Sequence, residues 1–468
     1  MDNRKGQPLL IIALAVAVLL VLSLCPWSKW TGGTVKDFNL LADLFPSEAT
    51  DDASAQAAEI IDPELEKELQ KEVEQSPSSP AASVVSQPAG QAEPATPATP
   101  APAKAPRNAG GDVIIEDYTS DGGLAKVRSA LAGASGRPAR IAIVGDSYIE
   151  GDIFAQDIRR LLQQQYGGRG VGYVPAHSEV SGFRRSIIHS SSGWTQHDSR
   201  KTKSNPYFPL SGEYFTGKTG ATITYKADKS EATRNAWNMS RLLFIAPKAG
   251  TIKMEIDGES RDFTVEASDA VQALELPGET KTLKITNNVP GLVLLGAWLG
   301  DTTGVQVDCM SVRGDSGIGH RNLGADLAEG MRRSVDYDLI ILEYGINALS
   351  SSQKEYSSYG RLMGKVVDQV RRCYPNAQIL LMGIGDRGQK INGEVHSLPT
   401  APAMVDAQRQ TARNAGVLFW DTREAMGGED AIVDWRADKL VNADYIHLNA
   451  KGGAELASRL VKSLTTAE

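Results

Sequence analysis

The sequence predicts an α/β domain interrupted by an all-β module and preceded by a membrane anchor and a stalk. Three observations carry this reading. Apolar runs such as "ARIAIVG", "YDLIILEYG" and "AQILLMGIG" alternate with helical patterns on both sides of residues 206–300, the order of an α/β fold. Within 206–300, short strand-like runs are separated by Gly, Pro or Asn-Asn turns, which points to an all-β sandwich. At the N-terminus, "PLLIIALAVAVLLVLSLCPW" carries no charge.

The chain has 468 residues and a formal net charge of -8, with no Lys/Arg-dense run. That balance argues against nucleic-acid binding, which needs a basic face to neutralise phosphates. Arg4 and Lys5 precede the uncharged run, so residues 1–8 are expected in the cytoplasm and 9–27 as a single transmembrane helix. This reading is preferred over a cleaved signal peptide, since no A-x-A-like site follows. It is also preferred over lipid attachment at Cys25, because Leu24 stands where a small residue is usual. The remainder of the chain is then expected outside the cytoplasm, in the periplasm or an equivalent compartment.

Residues 28–111 read as a stalk. Its second half, "SPSSPAASVVSQPAGQAEPATPATPAPAKAPR", has too little apolar surface to offset its ordering entropy and is expected to be extended and largely disordered. The first α/β part is placed at 112–204, the inserted β module at 205–303 and the second α/β part at 304–468. Cys309 and Cys373 could pair in an oxidising compartment or remain buried thiols.

Four polar loops follow buried strands or lie near the end of the domain, where α/β sheets bind ligands. They hold Asp146 and Ser147 in "GDS", Gly314 in "SVRGDSGIGH", Asn347 in "EYGINAL", and Asp444 with His447 in "DYIH". This set can perform acyl transfer. Ser147 is the candidate nucleophile, His447 the base and acid, and Asp444 the group that fixes the imidazole tautomer. The Ser147 and Gly314 backbone N–H groups and the Asn347 amide are candidate oxyanion donors. Asp146 reads as a residue that holds the turn.

The four blocks resemble those of the SGNH/GDSL hydrolase family, which contribute Ser, Gly, Asn and His in this order. The resemblance implies a flavodoxin-like three-layer α/β/α domain with a five-stranded parallel sheet. Two departures stand out: Ala348 replaces the aspartate of the usual G-x-N-D block, and Tyr148 replaces the leucine of the GDSL form. A β insertion between the Ser and Gly blocks resembles periplasmic peptidoglycan O-acetylesterases, whose module looks like a carbohydrate-binding jelly roll. The resemblance therefore implies removal of O-acetyl groups from a cell-wall or other polysaccharide, with an acetylated glycan or peptidoglycan as partner. A glycan O-acetyltransferase with the same triad, or a silent carbohydrate-binding scaffold, are the alternatives.

Other residues carry less. Asp386 and Arg387 in "GIGDRG" could line the cleft or form a surface ion pair, and His320 reads as a loop residue. Trp194 could stack on a sugar or pack in a core. His177, His189, His197 and His396 show no metal-ligand spacing, so neither metal nor cofactor is expected. "YGGRGVGY" follows a helix and lacks the phosphate-loop lysine, which excludes that function.

Overall fold

The computed structural model describes residues 112–198 and 207–466. The expected cytoplasmic tail, anchor and stalk lie outside the described residues. Among the described residues no helix is long and apolar enough to cross a membrane.

The chain opens with β1 (Glu116–Asp117), α1 (Gly123–Ala132), β2 (Ala139–Gly145) and α2 (Ala155–Tyr166). A β-rich segment follows: β3 (Gly170–Val174), β4 (Ile187–Asp198), β5 (Glu213–Ala227), β6 (Trp237–Ala246), β7 (Gly250–Ile256), β8 (Glu259–Val265), β9 (Ser268–Thr280), β10 (Thr282–Asn287) and β11 (Val293–Gly300). The α/β alternation resumes with β12 (Val305–Ser311), α3 (Ala325–Arg332), β13 (Leu339–Glu343), α4 (Ser357–Cys373) and β14 (Gln378–Met382). The chain closes with the β15 (Gly388–Ile391) and β16 (Glu394–Ser397) hairpin, α5 (Ala401–Ala415), β17 (Leu418–Trp420), α6 (Thr422–Met426), α7 (Ala431–Ala437) and α8 (Ala450–Thr465).

The first sheet has the order β1-β17-β14-β13-β2-β12. Its five longer strands are parallel and run 2-1-3-4-5 by order of appearance, a doubly wound arrangement. These strands are largely apolar and buried because both faces are covered. On one face α2 packs against α8 and β12, and on the other α4 packs against α5. The sheet departs from an all-parallel one at its edge, where β1 joins β17 antiparallel. Two paired residues are too short a run to leave a pattern in the sequence.

The second sheet has nine strands, with β5 hydrogen-bonded to β4, β10 and β11 along its 15 residues. It begins at Gly170, so the boundary expected at residue 205 is corrected: β3 and β4 both belong to this sheet. The glycines of "GVGYV" and the polar, half-exposed run "IIHSSSGWTQHD" concealed them. Side chains from β5, β6, β7, β10 and β11 enclose one apolar cluster.

Strand β11 is buried along its whole length. Leu294, Ala297 and Leu299 face the cluster inside the second sheet, while Val293, Leu295 and Trp298 join the core of the α/β domain. A bulge between Leu294 and Gly296 shifts the alternation by one residue. At this seam Asp308 of β12 accepts from Trp298 Nε1 (2.7 Å), Tyr337 Oη (2.7 Å) and the Tyr173 N–H (2.9 Å).

Candidate active site

Strand register places three of the four expected loops side by side. Gly145 at the end of β2 is level with Ser311 of β12 on one side and Glu343 of β13 on the other. The chain therefore leaves the sheet at one edge through the loops of Ser147, Gly314 and Asn347. The fourth loop arrives from the C-terminus, between α7 and α8.

Ser147 Oγ lies 2.9 Å from His447 Nε2, and His447 Nδ1 lies 2.8 Å from Asp444 Oδ2. A carboxylate only accepts, so Nδ1 carries the proton and Nε2 presents its lone pair to the serine. The other Asp444 oxygen accepts the Ile446 N–H (3.0 Å) and the His447 N–H (3.1 Å). Partial burial raises the Asp444 carboxyl, but these bonds and the His447 contact outweigh it and hold the pKa below its ordinary value. Tyr445, between them, adopts φ 55. That left-handed residue turns the short loop tightly enough for Asp444 to reach its own histidine.

The loop is fixed at both ends. Asn449 caps α8 by accepting from Lys451 and Gly452 N–H groups, as a residue just before the helix can. One residue further on, Gly453 sits directly against the carbonyl of Ile153, which docks the His447 loop on the segment that follows Ser147.

Gly314 has φ 73, which only glycine adopts without strain. Among the described residues neither its N–H nor that of Ser147 makes a backbone hydrogen bond within the protein. Asn347 differs: its Nδ2 donates to Asp146 Oδ2 at 2.7 Å and to the Asp315 carbonyl at 3.1 Å. Both amide protons are engaged, and the longer bond to Asp315 is the one to yield if an oxyanion competes.

Asp146 also accepts the Tyr148 N–H at 2.9 Å, closing the turn that presents the serine. It is fully buried. Burial pushes its pKa up to about 7; the neighbouring Asp315 adds to this, while the Tyr148 N–H, His447 and Asn347 act in the opposite direction. Beneath it lies Glu343, whose Oε2 is 3.4 Å from the Asp146 N–H. Burial and the Asp146 charge drive the Glu343 carboxyl well above its usual range. Ala348 is buried, and the carboxylate beside Asn347 comes from Asp146.

The remaining candidates separate cleanly. Asp386 is fully buried and accepts from Ser397 Oγ (2.6 and 2.8 Å), Ile432 N–H (3.0 Å) and Arg423 Nε (3.1 Å). It is therefore neither a cleft residue nor a surface ion pair. Arg387 reaches the Ile346 carbonyl at 3.4 Å, next to Asn347. His320 is buried between Phe208 and Tyr344, with Nε2 on the Leu210 carbonyl. Trp194 packs on Gly217 and against the second core. Cys309 and Cys373 are both free and buried. No metal-binding cluster occurs among the described residues.

Residues 280–454 match the model of the GDSL-like lipase/acylhydrolase family. That segment contains the Gly314, Asn347, Asp444 and His447 blocks, and the serine block precedes it. The matched segment is therefore of the GDSL hydrolase type, carboxylic ester hydrolases by class. A solved structure of a peptidoglycan O-acetylesterase has the same fold over 75% of this chain and 97% of its own, with 24% identity and a TM-score of 0.62. A family two carbohydrate esterase from Cellvibrio japonicus covers 49% of this chain and 86% of its own, at 14% identity and a TM-score of 0.19. No curated protein sequence matches the chain.

Proposed function

We propose that the protein removes O-acetyl groups from a cell-wall polysaccharide through an acyl-Ser147 intermediate. The observation that carries this reading is the continuous relay from Ser147 Oγ through His447 to Asp444 at 2.9 and 2.8 Å. In the first step His447 Nε2 takes the Ser147 proton as Oγ bonds to the acetyl carbon. The carbonyl oxygen becomes an oxyanion facing the Ser147 and Gly314 N–H groups and the Asn347 amide. The tetrahedral species then collapses, and the imidazolium returns the proton to the departing sugar oxygen. In the second step His447 takes a proton from water as its oxygen bonds to the acyl carbon, and the imidazolium then protonates Ser147 Oγ as its bond to that carbon breaks and acetate leaves. Asp444 stays ionised throughout and stabilises the imidazolium.

The shared fold with a peptidoglycan O-acetylesterase supports the choice of glycan. The uncharged residues 8–27 and the Pro/Ala/Ser-rich segment after them support tethering to a membrane with the hydrolase outside the cytoplasm. The test is acetate release from O-acetylated peptidoglycan by the protein and by Ser147→Ala. Loss of at least about 10⁴-fold in the variant is expected. Equal rates would refute the reading, and acetyl transfer to an added glycan instead of water would make the protein an acetyltransferase.

A further inference from the structure

Beside the serine loop lies a recess of about 160 Å³ between the α/β domain and the second sheet. Glu150, Ser311 and Arg313 line it on one side, and His189, Gln196 and Glu213 on the other. It adjoins the reacting groups through the backbone: the Glu150 N–H donates to the Ser147 carbonyl at 3.3 Å, and the Val312 N–H to the Gly145 carbonyl at 3.0 Å. The volume is about ten times the ~15 Å³ that one water needs. A group of roughly ten heavy atoms fits, the size of one sugar ring.

The wall is chemically selective. Its two arginines are already ion-paired, Arg313 with Glu150 and Arg184 with Asp152 at 3.4 Å. Among the described residues, an anion entering the recess meets no unpaired arginine. Two of the other polar groups carry no charge. His189 Nε2 donates to the Ala176 carbonyl at 3.2 Å, and its Nδ1 is buried out of reach of the recess. Burial lowers its pKa to about 4, so the ring stays neutral. Glu213 is buried without a cation and receives Tyr173 Oη at 3.1 Å and Gln196 Nε2 at 2.6 Å. Burial pushes it up to about 8, opposed by those two bonds and aided by Asp198, so near pH 7 it holds a proton and is largely neutral. Asp198 and Glu179 add oxygens. Such a polar wall suits a neutral hydroxylated ligand.

The loop between β3 and β4 supplies the final observation. Ser181 and Arg184 line the recess, and between them Phe183 is 81% exposed. A solvent-facing ring at that position offers an apolar plate of the kind a pyranose face packs on.

We propose that this recess is a subsite for one neutral pyranose residue of the glycan whose ester Ser147 attacks, with Gln196 as a polar contact and Phe183 as the stacking surface. The proposal rests on the esterase reading of Ser147, so two readouts are needed. In the full-length protein, Gln196→Ala and Phe183→Ala should each lower at least tenfold the ratio of kcat/KM on O-acetylated peptidoglycan strands to that on 4-nitrophenyl acetate. In the Ser147→Ala background, each should weaken binding of de-O-acetylated strands by a similar factor in calorimetry. An unchanged ratio together with unchanged binding overturns the subsite, as does failure of the Ser147→Ala protein to bind the strands at all. Strand binding that depends on Gln196 and Phe183 in a protein that hydrolyses neither ester would support the subsite and refute the esterase. Phe183 lies on the surface, so its variant decides the matter should Gln196→Ala misfold.

Discussion

Gly453 stands so close to Ile153 that a β-carbon at position 453 would lie 2.0 Å from the Ile153 carbonyl oxygen. The two residues belong to the segments that carry His447 and Ser147, so the base is registered against the nucleophile by backbone contact. Gly453→Ala must push α8 away and lengthen the 2.9 Å Ser147–His447 bond. A displacement of about 1 Å can cost about 10²-fold in rate. Steady-state kinetics on an acetyl ester should show that loss mainly in kcat, with a lower Tm. Wild-type kcat would contradict the contact.

Asp444→Asn should reduce kcat by about 10⁴-fold while leaving the fold intact. With the amide oxygen held by the Ile446 and His447 N–H groups, the new NH2 faces Nδ1 and donates to it, so the tautomer that offers Nε2 to Ser147 is lost. Kinetics compared with circular dichroism separates this from unfolding.

Asn347→Ala removes a side-chain donor from the oxyanion position and should cost about 10²–10³-fold in kcat, with KM little changed. Asp146→Asn is expected to impair the same step indirectly, because its new amide would face the Asn347 donor. Proportional losses in kcat for the two single variants, and no further loss in the double, would show that they act as one unit.

Asp146 also gives a stability signature. Its carboxyl is pushed up to about 7 by burial, against about 3.9 in an unfolded chain. The folded protein therefore holds that proton more tightly. The resulting stability is fully present below about pH 4 and lost as the pH rises through about 7. Asp146→Asn cannot titrate. The Tm of the wild type minus that of Asp146→Asn should fall by a few degrees between pH 4 and pH 8. A flat difference across calorimetric scans would show that Asp146 is ionised throughout.

Much of the α/β domain was legible because its strands are buried on both faces and read as unbroken apolar runs, as in "LIIL". The same property located the site, since Ser147 and Asn347 each follow such a run and Gly314 follows a buried strand. Asn449 was readable as a cap from its place before α8. Four features escaped. Glu343 ends an apolar strand, and only its charge in that setting could have marked it. The role of Asp146 toward Asn347 depends on two loops from different strands meeting. The β15–β16 hairpin turns at Asn392–Gly393, with φ 52 and 95, and the Asn-Gly pair was its available signal. The early start of the second sheet escaped because β3 is glycine-rich and β4 is polar.

Strand β11 has no solvent-facing side, and this bears on how such an enzyme can be altered. Excising the second sheet with β11 would bare Leu295 and Trp298 on the module, and on the α/β domain the core residues that they cover. The insertion is thus not a bead on a string that can be swapped between relatives to change what they cleave. A change of substrate preference would instead have to evolve, or be engineered, residue by residue within one continuous core.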